Sequence, residues 1–174
     1  MVFLSRERNF FIKITTKTLA RAGLIAGLYT AISMLAFPLS SGAIQVRISE
    51  ALTLLPLFFI ESIPALAVGC LLSNLLLGCA VYDMILGSLI TLISATLTYL
   101  AGRILKSKIV KILLGGVFPV LLNAFLLPLV WMLCYGALEY VYLLQVALLL
   151  VGQTISVYAV GIPLYFTIEK KRLN

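Results

Sequence analysis

Histidine is absent from this 174-residue chain, and acidic residues are few, six against thirteen lysines and arginines. Without imidazole the commonest general base is missing, and so is the commonest metal-ligating side chain. The three cysteines, Cys70, Cys79 and Cys134, each stand inside an apolar run, and none forms a C-x-x-C pair. Buried apolar thiols are therefore expected rather than a redox or zinc centre. The phosphate-cradling G-x-x-x-x-G-K-[ST], the H-E-x-x-H and the G-x-S-x-G patterns are also missing. The chain shows no means of hydrolysing ATP by itself, specifies no reaction and calls for no cofactor.

Charge of either sign is scarce: 11% of residues are charged and 63% are hydrophobic, with a mean hydropathy of +1.17. A soluble domain carries roughly a quarter charged residues, so this composition cannot cover a water-facing surface. The class that remains is an all-α integral membrane protein, a single multi-pass membrane domain in the cell membrane. The net charge of +7 would point to nucleic acid in a soluble protein. Here the basic residues flank hydrophobic spans, so anchoring at the membrane surface explains them and no nucleic-acid partner is expected.

Residues 1–17 read as a basic amphipathic leader, with Arg6, Arg8, Lys13 and Lys17 beside Phe10 and Phe11. A signal peptide with Leu24–Ala36 as its apolar core is the alternative. Hydropathy predicts six helices, near 18–38, 47–61, 63–81, 84–102, 112–136 and 140–166, followed by a basic tail at 167–174. The second is the weakest, being short and interrupted by Pro56. With six spans, the leader, the loop of Arg103, Lys106, Lys108 and Lys111, and the tail Lys170-Lys171-Arg172 all fall on one face. The positive-inside rule makes that face cytoplasmic, with both termini. Arg47, Glu50, Asp83 and Glu139 then lie on the extracytoplasmic side, and Glu61 on the cytoplasmic one.

Polar residues at membrane depth are Asn74, Asn123, Gln145 and Gln153. An amide in hydrocarbon must find partners, which interhelical hydrogen bonding or a ligand cavity would supply. Together with Arg47, Glu50, Asp83 and Glu139, this set favours an outward-opening cavity for a polar, planar small molecule. Tyr82, Trp131, Tyr135 and Tyr140 offer stacking faces there, or form an interfacial aromatic belt. On the first helix Ala22 and Ala26, and likewise Gly23 and Gly27, are small residues one turn apart, suited to close packing within the chain or against another membrane protein.

The run Ile44-Gln45-Val46-Arg47-Ile48-Ser49-Glu50-Ala51-Leu52-Thr53-Leu54-Leu55-Pro56-Leu57-Phe58 resembles the signature of the queuosine-precursor transporter family. Ala65–Leu75 and Asp83–Leu92 resemble the same family, while the last two helices do so only loosely. Its members are substrate-binding S components of energy-coupling factor (ECF) transporters. The resemblance implies a six-helix bundle that holds a 7-deazaguanine, a queuosine precursor or queuine, near the extracytoplasmic side. It also implies partnership with a transmembrane T component and two cytoplasmic ATPases. Ala22 and Ala26 match the helix-one alanines that face the T component. The expected binding residues are Arg47, Glu50, Asn74, Asp83, Asn123, Glu139 and Gln153. An S component for another vitamin-like compound, a stand-alone proton-coupled carrier using Asp83 or Glu139, and an intramembrane enzyme are the competing readings.

Overall fold

The computed structural model describes residues 15–40, 44–136, 138 and 140–173. Most of the expected leader and all of Glu139 lie outside the described residues. Among those described, every regular element is helical.

Helix α1 runs Thr16–Leu35 and opens with a reciprocal cap: the Thr15 hydroxyl accepts from Thr18 N, and the Thr18 hydroxyl accepts from Thr15 N. A four-residue turn, α2 (Phe37–Ser40), and an irregular stretch then lead to a 3-10 helix, Ile48–Leu57. Next come α3 (Ser62–Leu76), α4 (Val81–Ile104) and α5 (Lys108–Tyr135). The chain closes with α6 (Tyr142–Thr154), a π-helical segment (Ile155–Val160) and α7 (Gly161–Leu173). The last three join into one 30-residue apolar rod, Tyr142–Lys171.

Four helices are long and apolar enough to cross a bilayer: Thr16–Leu35, Val81–Ile104, Lys108–Tyr135 and Tyr142–Lys171. They correspond to the expected first, fourth, fifth and sixth spans with ends shifted by a few residues. Large apolar side chains such as Leu35, Leu133 and Val141 stand exposed on the bundle, as a lipid-facing surface requires.

The expected second span, 47–61, is corrected in kind. It is a 3-10 helix of ten residues with Ser49–Pro56 all buried, about 20 Å long at 2.0 Å per residue, short of the hydrocarbon thickness. Two residues disfavour an α-helix here. Pro56 has no N–H to give to Leu52, and the Thr53 hydroxyl occupies the Glu50 carbonyl. This rod lies at the centre, touching α1, α3, α4, α5, α7 and the π segment. The expected third span, 63–81, shortens to Ser62–Leu76 because the chain turns at Gly78 (φ +72°), a left-handed position that glycine adopts at little cost.

Helices α1 and α3 approach to backbone contact. A Cβ placed on Gly69 would lie 2.8 Å from Tyr29 Cβ and 3.0 Å from the Ala26 carbonyl oxygen. The Thr98 hydroxyl likewise bonds the Gly115 carbonyl across α4 and α5 at 2.7 Å. The six rods alternate in direction between two ends. Arg21 at the start of α1 pairs with Glu61 before α3, and Lys108 at the start of α5 pairs with Glu169 in α7 at 2.8 Å. These contacts gather at one end. The other end collects the C-terminal parts of α1, α3 and α5 and the start of α4.

Candidate functional site

At that second end a cavity of about 130 Å³ opens beside the start of the 3-10 helix. Gln45, Arg47 and Ser49 form one wall, Ser73 and Asn74 another, and Asp83 and Trp131 a third. Each is held by its own element. The Arg47 carbonyl accepts the Glu50 N–H at 2.9 Å, which fixes the first turn of the 3-10 helix. Asp83 lies in the first turn of α4, where the helix dipole favours a carboxylate. The Trp131 and Tyr135 side chains of α5 neighbour it. Asn74 sits on the last turns of α3, opposite Gly87. A Cβ at Gly87 would lie 3.4 Å from Asn74 Nδ2 and 3.8 Å from Asp83 Oδ1. A bare backbone there lets the amide and the carboxylate share one spot.

The expected residues divide into groups. Arg47, Asn74 and Asp83 line the cavity together. Glu50 lies beneath it, 1% exposed, with Oε1 accepting from the Tyr29 hydroxyl at 2.6 Å and Oε2 without a partner among the described residues. Asn123 and Gln153 form a separate buried pair between α5 and α6, Nδ2 to Oε1 at 3.3 Å, away from the cavity wall. The Gln153 Nε2 and the Gln145 Oε1 have no partner among the described residues. Glu139 lies outside the described residues. Of the aromatic residues, Trp131 reaches the cavity, whereas Tyr82 and Tyr135 are largely exposed.

The small-residue pair on α1, expected either to pack within the chain or to face a partner, has the following surroundings. Ala26 is buried and Ala22 half-buried, and both pack into the core shared with α3. Gly23 and Gly27, one position on, have open space around them and form the outward small-residue face.

Sequence reasoning missed Tyr29, which fixes Glu50, and Gln45, which lines the cavity. It also missed Gly152. A Cβ there would overlap the Gln45 carbonyl, lying 2.7 Å from its carbon, so the stretch before the 3-10 helix rests directly on the α6 backbone.

The cavity thus offers a guanidinium and a carboxylate. Four serine hydroxyls, two amides and one indole face complete it. Such a set donates, accepts and stacks, which is how small polar planar molecules are recognised. Among the described residues, no three His, Cys, Asp or Glu side chains gather in a way that could hold a metal ion.

The family model described as QueT transporter matches residues 19–170. Neither the curated proteins nor the solved structures compared with the chain contain a match. The matched region takes in the 3-10 helix, every wall of the cavity and, but for a few end residues, the four long apolar helices. This chain is a multi-pass membrane protein whose role is transport, and it belongs to the QueT transporter family.

Proposed function

We propose that this protein is the substrate-binding S component of an energy-coupling factor importer that captures a 7-deazaguanine, a queuosine precursor or queuine, from the extracytoplasmic side. The observation that carries this reading is the meeting of Arg47, Asn74, Asp83 and Trp131 at one cavity in a chain of the QueT transporter family. A guanine-like edge offers N–H donors for Asp83 and a carbonyl for Arg47 or the Asn74 amide. Trp131 supplies a stacking face. Glu50, whose Oε2 has no partner among the described residues, Asn123 and Gln153 form the polar layer beneath, and Glu139 is a further residue proposed for recognition.

In this reading the six rods are six membrane passes, with both termini and the lysine- and arginine-rich end in the cytoplasm. The T component and two ATPases supply the energy. Docking onto the T component uses α1, through the open face of Gly23 and Gly27 with half-buried Ala22 at its border. Ala26 contributes by keeping α1 and α3 close.

The cavity, at about 130 Å³, is smaller than the roughly 300 Å³ at the lower end for ligand pockets. A ligand of full size therefore requires the stretch around Gln45 to lift from α6. The test is thermal unfolding of the purified protein in detergent with queuine, its biosynthetic precursors and guanine. A ligand that binds the folded state raises the midpoint by mass action. Selective stabilisation by a deazapurine over guanine is the expected result. A folded protein indifferent to all of them removes the queuosine reading and leaves the family fold in place.

A further inference from the structure

The opposite end of the bundle carries a second and larger cavity, of about 620 Å³. It stands apart from the Arg47 pocket, and no residue lines both. Three cations from three elements converge on it: Arg21 from α1, Arg103 from the last turn of α4 and Lys111 from the first turn of α5. One carboxylate, Glu61, lies among them.

The two guanidiniums do not splay outward as arginines on a solvated face do. Arg21 Cζ sits 4.4 Å over the Phe59 ring, and Arg103 Cζ sits 5.2 Å over the Tyr99 ring. A guanidinium drawn over an aromatic ring is oriented by it, and its forked N–H groups match the geometry of an oxyanion. Arg21 already does this with the buried Glu61 carboxylate. Lys106 and Lys17 at the same end are exposed and line no part of the cavity, while Lys108 is engaged by Glu169. The remaining walls, Leu57, Phe58 and Ile60, are apolar. Such a chamber suits a charged head group with an apolar body behind it.

We propose that this cavity is a binding site for an anionic phosphate group, held by Arg103 and Lys111 against the fixed Arg21–Glu61 pair. Two sources present that chemistry: the head group of an anionic phospholipid, which a basic pocket between membrane helices is placed to take, and a soluble phosphate.

The experiment follows the unfolding midpoint of the purified full chain in detergent. It is titrated with short-chain phosphatidylglycerol, with short-chain phosphatidylcholine and with inorganic phosphate. Phosphatidylglycerol is expected to raise the midpoint well above the phosphatidylcholine baseline. A comparable rise with inorganic phosphate assigns the site to soluble phosphate, and a rise with phosphatidylglycerol alone assigns it to lipid.

Each lost cation near the head group weakens binding about fivefold, so Arg103→Gln with Lys111→Gln should cost about 25-fold in apparent affinity. Lys111→Gln alone, on a half-buried first-turn position, should cost about fivefold and serves where the double variant does not fold. Lys106→Gln with Lys170→Gln removes the same charge from exposed positions outside the cavity and should leave affinity unchanged. Equal stabilisation by the two lipids with no response to phosphate overturns the site. So does an equal loss in the Lys106–Lys170 pair, which would reduce the effect to the general charge of that end.

Discussion

A carboxylate in an apolar bundle is stable only where its oxygens find donors, and Glu50 has one oxygen bonded and one without a partner among the described residues. The bonded one takes the Tyr29 hydroxyl at 2.6 Å, with both side chains about 1% exposed. Tyr29→Phe removes that donor without changing shape, leaving a second buried oxygen unsatisfied. Losing such a partner costs about 1–3 kcal/mol, so the thermal unfolding midpoint of the variant should fall. An unchanged midpoint would mean that the Tyr29 bond adds nothing to stability. Asn74 is the opposite case. Among the described residues its Nδ2 meets the Cys70 sulfur at 3.8 Å, and Asn74 lines the cavity. Asn74→Leu keeps the shape and removes the amide. Stability should hold, while ligand affinity measured by calorimetry drops about three- to tenfold, the worth of one neutral hydrogen bond. Full affinity in that variant would take Asn74 out of the recognition set. Arg47, Asn74 and Asp83 were legible in the sequence because a polar side chain in so apolar a chain is conspicuous. Tyr29 and Gln45 were not. A tyrosine on an apolar helix shows no sign of the carboxylate it meets 21 positions later, and Gln45 gains its role from how its backbone is seated on α6.

At the scale of elements, hydropathy located the long helices within a few residues because lipid imposes both length and apolarity on them. It could not locate the 3-10 helix as such. Ser49–Pro56 is buried on all sides, so no periodicity distinguishes its geometry, which follows instead from Pro56 and the Thr53 hydroxyl. The π segment at Ile155–Val160 likewise has no compositional mark; it packs on the 3-10 helix, and Gly161 just after it lies against Ala51. Nor does the sequence reveal how far α5 and α6 are rotated, which is why Asn123 and Gln153 meet each other rather than the cavity. The same packing makes Gly152 a positioning residue. Gly152→Ala places a methyl where the Gln45 carbonyl now lies, and backbone on both sides leaves it nowhere to go except by lifting the stretch that carries Gln45 and Arg47. The helices themselves are untouched, so overpacking of about 1–3 kcal/mol is taken up locally. The variant should remain folded and both take up and release ligand faster, because the stretch that must lift is already displaced. Wild-type dissociation kinetics in Gly152→Ala would show that this contact does not hold the cavity shut.

At the scale of the whole molecule, the two ends differ in charge more sharply than any pair of helices differs in composition. Lys17, Arg21, Arg103, Lys106, Lys108, Lys111, Lys170 and Lys171 gather at one end, and Arg47 is the single basic residue at the other among the described residues. Orientation in a membrane follows such an imbalance, because basic segments beside a span are retained on the cytoplasmic face. In the proposed orientation the Arg47 cavity faces outward, as capture of an external ligand demands. Replacing Cys70, Cys79 and Cys134 by alanine leaves a background on which single cysteines report sidedness. Tyr82→Cys, at the cavity end where the residue is 69% exposed, should react with a membrane-impermeant maleimide in intact cells. Ser107→Cys, between α4 and α5 at the basic end, should react only after permeabilisation. The reverse pattern would turn the cavity to the cytoplasm, where it would meet a ligand already inside the cell, and the importer reading would fail at its first step. Labelling of both sites from outside would place both ends on one face of the membrane, which an odd number of passes between Tyr82 and Ser107 forbids.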